Sequence, residues 1–330
     1  MWALLALTGG VVGFVALLSL IVQSAPKMSL QHRRVLITGG SQGIGLAIAT
    51  LLARRGCRVV ITARGVDQLN AAVMHINSDV KPAHIVSFVA MDVSSQTAVE
   101  GSMSAVHQKL GGPPEIVICC AGFSYPTRFL DCPAAEAERM MQVNYFGCVN
   151  VVRSTLPAML TGSFGRVVLV SSMASDARVA GFTLYSPTKA ALMAFGQALD
   201  MEVACRGVRC QVVLPPDVET PGYAAENKVK SEECKRICAM GGVQPFSSQH
   251  MAEAVVDGVE NYRFKITLGF DGFMMKVGTA GLSAPSSIGE VLVEVLLAGI
   301  VRLVGCVYTK LHYAIVKDVV QNERRKGKSD

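Results

Sequence analysis

The stretch Arg33-Arg34-Val35-Leu36-Ile37-Thr38-Gly39-Gly40-Ser41-Gln42-Gly43-Ile44-Gly45 decides the fold. Residues 33–38 form a short β-rich run, and residues 45–56 carry a helical period. A glycine-rich turn between strand and helix lets the backbone approach a pyrophosphate. The helix start then faces that group with free N–H donors and the positive end of its dipole. A bare Gly-x-x-x-Gly-x-Gly is a weak signal. Here it follows a strand and opens a helix, which is the context the motif needs. Gly39, Ser41, Gln42, Gly43, Ile44 and Gly45 are therefore the first candidate contacts. The bland alternative is a tight structural turn.

Outward from the turn, strand-like and helix-like runs alternate. Strands are expected at 58–64, 85–93, 115–122, 165–172 and 209–215, with helices at 66–76, 97–110, 134–160 and 188–207. Strict alternation means a parallel sheet covered on both faces, an α/β doubly wound Rossmann arrangement. No internal repeat or low-complexity linker interrupts it.

The end of the second strand bears on the nucleotide. An acid there would bind the adenosine ribose hydroxyls of NAD. This chain has Ala63 and then Arg64, whose guanidinium can pair with a 2′-phosphate. The expected cofactor is NADPH; the bland alternative is that Arg64 is a solvated residue opening a loop. Asp92, in Met91-Asp92-Val93, is placed to bond the adenine amine; its bland role is to cap the following helix.

Tyr185-Ser186-Pro187-Thr188-Lys189 puts Tyr185 and Lys189 on one helix face. A free phenol has a pKa of about 10, and a nearby ammonium lowers it. Tyr185 is thus a candidate general acid and Lys189 its tuner. Pro187 fits only in a first helical turn, so that helix should begin near 184–186. Ser172 closes the 165–172 strand at the carboxyl edge of the sheet, where ligands bind. Its hydroxyl could hold a substrate carbonyl.

Together these residues resemble the short-chain dehydrogenase/reductase family. The resemblance covers about 33–230 and takes in the Thr38–Gly45 turn, Asp92, Cys120-Ala121-Gly122, Asn144, Ser172, Tyr185, Lys189 and the segment from Pro215 to Thr220. It implies hydride transfer between a nicotinamide and a carbonyl or alcohol. Tyr185 would protonate the carbonyl oxygen and Ser172 would polarise it. Lys189 would also hold the ribose hydroxyls, and Asn144 would order a proton-relay water. Val93, Ala121, Gly122, Pro215, Val218 and Thr220 would line the nucleotide site. One departure is Cys119-Cys120-Ala121-Gly122, where the family has Asn-Asn-Ala-Gly. An amide that braces the central sheet is therefore missing. Another is Pro215-Pro216-Asp217, where Pro-Gly is usual.

Composition adds a second theme. Of 330 residues, 51% are hydrophobic and 17% are charged. Soluble domains carry about 25% charge, so disorder and a freely soluble enzyme are both disfavoured. The net charge of +6 is mildly basic and is not gathered into a nucleic-acid face. Trp2 to Val22 contains no charge. About 20 apolar residues span a bilayer, and no basic n-region marks a cleaved signal peptide. A membrane anchor over 1–25 is expected. Lys27, His32, Arg33 and Arg34 follow it, which places the body of the chain in the cytosol. A second apolar region, Ile288 to Val316, carries Glu290, Glu294, Arg302 and Lys310. It reads as a re-entrant hairpin, a helix lying in the interface, or a buried helix. Ten cysteines in a chain this long do not imply a disulfide framework. Cys234 and Cys238 lack the histidines of a zinc site, so no metal is expected.

The segment Leu214 to Asn227, the Leu268-Gly269-Phe270-Asp271-Gly272 segment and the apolar ends resemble a membrane-bound branch of the same family. That branch reduces a long-chain sphingoid ketone with NADPH at the cytosolic face of the endoplasmic reticulum. The resemblance implies a reductase domain over 30–270 and a membrane-associated or substrate-channel region over 271–317. Over 318–330 it implies a basic tail that resembles a dilysine retrieval signal. It implies membrane lipid and the sphingoid ketone as partners, excludes nucleic acid, and leaves room for a homo-oligomer. Three rivals are an anchored short-chain reductase of a steroid or retinoid, a non-catalytic lipid-binding scaffold, and a secreted enzyme, which would need signal cleavage near Ser24 and oxidised cysteines.

Overall fold

A computed structural model of the protein describes residues 27–326 except 79, 81–85, 178, 241, 243 and 282. The expected anchor over 1–25 and residues 327–330 of the tail lie outside the described residues. The first half of the chain builds β1 (Arg34–Thr38), α1 (Gly43–Arg54), β2 (Arg58–Ala63), α2 (Val66–Asn77), β3 (Ser87–Ala90), α3 (Gln96–Leu110) and β4 (Ile116–Cys119). Next come α4 (Ala134–Met141), a π-helical turn (Gln142–Phe146), α5 (Gly147–Thr161), β5 (Gly165–Val170), α6 (Tyr185–Val203) and β6 (Val208–Leu214). The remainder is β7 (Val218–Glu219), α7 (Pro221–Val229), α8 (Glu232–Cys238), β8 (Phe246–Ser247), α9 (Ser248–Glu260), β9 (Lys265–Thr267), α10 (Gly269–Gly278) and α11 (Ile288–Lys326).

The strands form one parallel sheet in the order β3-β2-β1-β4-β5-β6-β9. Successive residues of a strand face opposite sides, so each strand feeds two cores. Val35, Ile37, Ile116, Ile118, Val168 and Val170 join α1, α2 and α9 on one side. Leu36, Val117, Cys119, Val167 and Leu169 join α3, α5 and α6 on the other. Register keeps the faces consistent: Leu36 pairs with Val117, and Val117 with Val167. Truncating a fully buried Ile such as Ile37 to Ala would cost about 2–5 kcal/mol.

Three features go beyond the periodicity. The expected helix over 134–160 is divided by the π-helical turn that carries Asn144. A seventh strand, β9, pairs with β6. Its buried Lys265 sits where a charged residue does not announce a strand, and its ammonium donates to the Thr279 carbonyl. The third is α11, which is a single continuous helix of 39 residues, neither a hairpin nor buried. No proline breaks it. Ser287 Oγ accepts from the Glu290 N–H at 3.2 Å, while a Glu290 carboxylate oxygen accepts from Ser286 N–H at 2.9 Å. That reciprocal cap sets its start.

At about 1.5 Å per residue, α11 is roughly 58 Å long. Both of its ends are tied to the same domain. Glu290 pairs with Lys276 of α10 at 2.7 Å. Asp318 pairs with Arg236 of α8 at 2.7 Å, and Glu323 with Arg128 at 2.7 Å. Arg128 also grips Glu233 at 2.7 Å. The helix therefore runs along the domain surface. Val293, Leu296, Ile300, Leu303 and Val307 recur at helical spacing on its exposed side.

Candidate active site

A cleft of about 1330 Å³ opens at the carboxyl ends of the strands. Gly39 and Gly43 have φ of +67° and +56°, a region that costs a side-chain-bearing residue energy. Space is also closed there. A Cβ on Gly39 would lie 2.8 Å from the Ala121 backbone, and one on Gly43 would lie 2.9 Å from Thr220 Cγ2. Helix α1 begins at Gly43 with no acid in its first turn and no side-chain cap from Gln42. Its first N–H groups thus face the cleft without an internal partner. The Thr62 hydroxyl, on the cleft wall, is buried with no hydrogen-bond partner among the described residues. The residues present fit a dinucleotide: a glycine cradle, unspent donors and an unpaired hydroxyl.

Ser41, Gln42, Ile44, Gly45, Arg64, Asp92, Val93, Ala121, Gly122, Pro215, Val218 and Thr220 all line this cleft. Arg64 is exposed on its rim and makes no ion pair among the described residues. Asp92 accepts from Ser94 N–H at 3.0 Å and from Ser94 Oγ at 2.7 Å. It closes the turn ahead of α3, whose cap is Ser95. Thr220 caps α7 by accepting from Tyr223 N–H at 2.9 Å, with Pro221 at the next position.

The missing family amide has a local substitute. Thr38 Oγ1 accepts from Cys120 N–H at 3.1 Å and from Ala121 N–H at 3.2 Å. The hydroxyl at the end of β1 thereby braces the loop after β4. Burial pushes the Cys120 thiol up to about 11, so it stays neutral beside Lys189.

Helix α6 begins at Tyr185, and Pro187 falls in its first turn, where proline is tolerated. Tyr185, Ser172 and Lys189 meet in the cleft. Lys189 is buried and donates to the Val170 carbonyl at 2.9 Å, while Ser171 Oγ donates to the Lys189 carbonyl at 2.7 Å. The Lys189 ammonium lies 5.8 Å from the centre of the Tyr185 ring. Asn144 is fully buried behind the cleft wall. Its amide donates to the Phe123 carbonyl at 2.9 Å and to Thr188 Oγ1 at 3.0 Å, and its Oδ1 accepts from Phe123 N–H at 3.0 Å. Thr188 Oγ1 in turn donates to the Tyr185 carbonyl at 2.8 Å. Asn144 thus reaches the tyrosine through Thr188, a residue inside the Tyr-to-Lys motif that spacing alone does not single out. A Cβ on Gly122 would sit 3.0 Å from Asn144 Oδ1 and 3.2 Å from Lys189 Nζ, so glycine keeps that junction open.

The electrostatics differ from the expectation of a phenol lowered by its lysine. Burial raises the Tyr185 pKa above its ordinary 10; Glu226 and Asp217 add to this, and a hydrogen bond with Ser172 opposes it. Burial also pulls Lys189 below its ordinary value. The sequence reading missed the far wall of the cleft. Ser124, Asp217, Tyr223 and Glu226 are there, among apolar Met173, Phe182, Val229, Leu268 and Phe270. The available signals were Pro216 at the usual glycine, followed by Asp217, and the Leu214–Asn227 segment that contains Asp217, Tyr223 and Glu226. Chemically, the arrangement offers an acid at Tyr185, a hydroxyl donor at Ser172 and an apolar chamber beyond them.

The short chain dehydrogenase profile matches residues 33–231. The chain is similar to 3-dehydrosphinganine reductase of Danio rerio, at 33% identity over 98% of this chain and 98% of that protein. It is similar to 3-ketodihydrosphingosine reductase of Mus musculus, at 33% identity with 92% of each chain covered. In Arabidopsis thaliana, 3-dehydrosphinganine reductase TSC10B is 31% identical over 97% of this chain and 95% of that protein. Among solved structures, a short-chain dehydrogenase from Streptomyces avermitilis superposes with a TM-score of 0.64 at 25% identity, covering 76% of this chain and 93% of that one. Glycine turn, Tyr-Lys helix, sheet order and these likenesses agree: the chain belongs to the short-chain dehydrogenase family.

Proposed function

We propose that the protein reduces 3-ketodihydrosphingosine to dihydrosphingosine with NADPH, a step of sphingolipid synthesis. The observation that carries this reading is the extent of the likeness. Relatives named for that activity match across 92–98% of the chain, well beyond the 33–231 segment common to the family. Bound NADPH supplies the hydride. The Gly39–Gly45 turn and the start of α1 would hold its pyrophosphate, and Arg64 would pair with its 2′-phosphate. Ser172 and Tyr185 donate hydrogen bonds to the ketone oxygen. Tyr185 then passes its proton to that oxygen as the carbinol forms. Lys189 and Asn144 keep Tyr185 in place and lead the replacement proton in.

The apolar chamber beside Tyr185 accepts the start of the acyl chain. The exposed stripe of α11 supports docking on a membrane surface. Arg302, Lys310, Lys317, Arg324 and Arg325 along the same helix suit the anionic lipid of a cytosolic leaflet. Location at the cytosolic face of the endoplasmic reticulum follows from the same reading, because the ketone is itself a membrane lipid.

The test is NADPH oxidation in detergent micelles with 3-ketodihydrosphingosine, a ketosteroid and retinal side by side. Turnover of the sphingoid ketone alone, lost in Tyr185→Phe by at least about 100-fold, is expected. Turnover of the steroid or retinal without the sphingoid ketone contradicts the reading.

A further inference from the structure

The substrate proposed above carries a protonated amine on the carbon next to its ketone. Any site that places the ketone oxygen on Tyr185 must place an ammonium close by. The cleft wall beside Tyr185 holds two carboxylates, Asp217 and Glu226, from two elements: the loop after β6 and helix α7. Both line the same cleft as Tyr185, and both act electrostatically on its phenol.

One buried cation stands against them. Lys230 pairs with Glu226 at 2.9 Å and lies 4.7 Å from the Tyr223 ring centre. Ser124 Oγ donates a hydrogen bond to the other Glu226 oxygen. Among the described residues, the Asp217 carboxylate accepts one side-chain bond, a long one from Tyr223 OH at 3.3 Å. These two carboxylates and one ammonium carry a net charge of about −1, and Lys189, the other buried ammonium of the cleft, is turned to the Val170 carbonyl at 2.9 Å. A purely structural network would gain by balancing that net charge, since an uncompensated charge in a partly dry site is costly. Burial raises the Asp217 carboxyl above its ordinary value and Glu226 adds to this, while Lys230 and the Tyr223 hydroxyl oppose it.

We propose that Asp217 and Glu226 seat the protonated amine of the sphingoid ketone. Resting on the sphingoid-ketone reading, this makes the pair the discriminator against neutral ketones of similar length. Lys230 and Ser124 fix Glu226, so the wall is built before substrate arrives. Asp217 completes the seat from the opposite element. A neutral ketone would leave the charge on that wall unpaired.

The experiment compares 3-ketodihydrosphingosine with an analogue whose amine is replaced by a hydroxyl, which is nearly isosteric and uncharged. Full-length protein in detergent micelles is assayed with NADPH, and kcat and KM are measured separately. Wild type should favour the amine by at least about 10-fold in kcat/KM. Asp217→Asn and Glu226→Gln should each lower kcat/KM for the amine by about 10- to 100-fold, mostly through KM, and change it for the hydroxyl analogue only several-fold and through kcat, by way of the Tyr185 phenol. NADPH binding, followed by its fluorescence, reports whether each variant keeps its fold. An equal fall for both substrates in variants that still bind NADPH assigns the pair a structural role and overturns the proposal. So does a wild type that treats the two ketones alike. Failure of wild type to reduce either sphingoid ketone, with a steroid turned over, instead overturns the substrate reading itself.

Discussion

Burial keeps the Tyr185 phenol protonated, which suits a residue that gives its proton to a developing alkoxide. The four-residue spacing rightly put Lys189 on the same face, but it could not show where the ammonium points. Nζ takes the Val170 carbonyl at the end of β5, so part of its charge is spent on the backbone. Arg64 is the opposite case. It is exposed on the cleft rim, and nothing among the described residues competes for it with a phosphate. Arg64→Ala should raise KM for NADPH about 10- to 100-fold and leave KM for NADH within about twofold. Steady-state kinetics with both cofactors measure this; equal effects on the two would remove Arg64 from 2′-phosphate recognition.

At the scale of elements, the parts set by short-range patterns were legible. The glycine turn, the strand alternation and the late start of α6 at Tyr185 follow from backbone freedom, period and proline geometry. The π-helical turn around Asn144 was not legible, because one extra residue in a helix leaves no mark on hydrophobic spacing. Nor was β9, which is only three residues long and contains a buried lysine. The path of α11 was undecided in sequence because a long apolar run does not say what its charges grip. Lys276, Arg236 and Arg128 answer that, holding both ends to one domain. In the proposed membrane docking, a helix held so would lie in the interface with its free stripe toward lipid. Cys306 is exposed on it. A polarity-sensitive fluorophore on Cys306, with the other exposed thiol removed by Cys205→Ser, should shift to the blue when vesicles containing anionic phospholipid are added. An unchanged spectrum would contradict membrane docking by this helix.

For the whole molecule, the low charge fraction and the enzyme fold have one explanation. The sheet consumes apolar residues on both faces, the cleft continues into an apolar chamber, and α11 keeps an apolar stripe outside. Nothing in the alternation of strands and helices foretold the carboxylate wall, because Asp217 and Glu226 are brought together by the turn that Thr220 caps. The central claim is hydride delivery to the sphingoid ketone, and isotope transfer tests it most directly. NADPH deuterated at its transferable position, incubated with the full-length protein and 3-ketodihydrosphingosine, should yield dihydrosphingosine bearing one deuterium on the new carbinol carbon, as read by mass spectrometry. Recovery of unlabelled ketone, with no deuterated product while a neutral ketone takes up the label, would contradict the account.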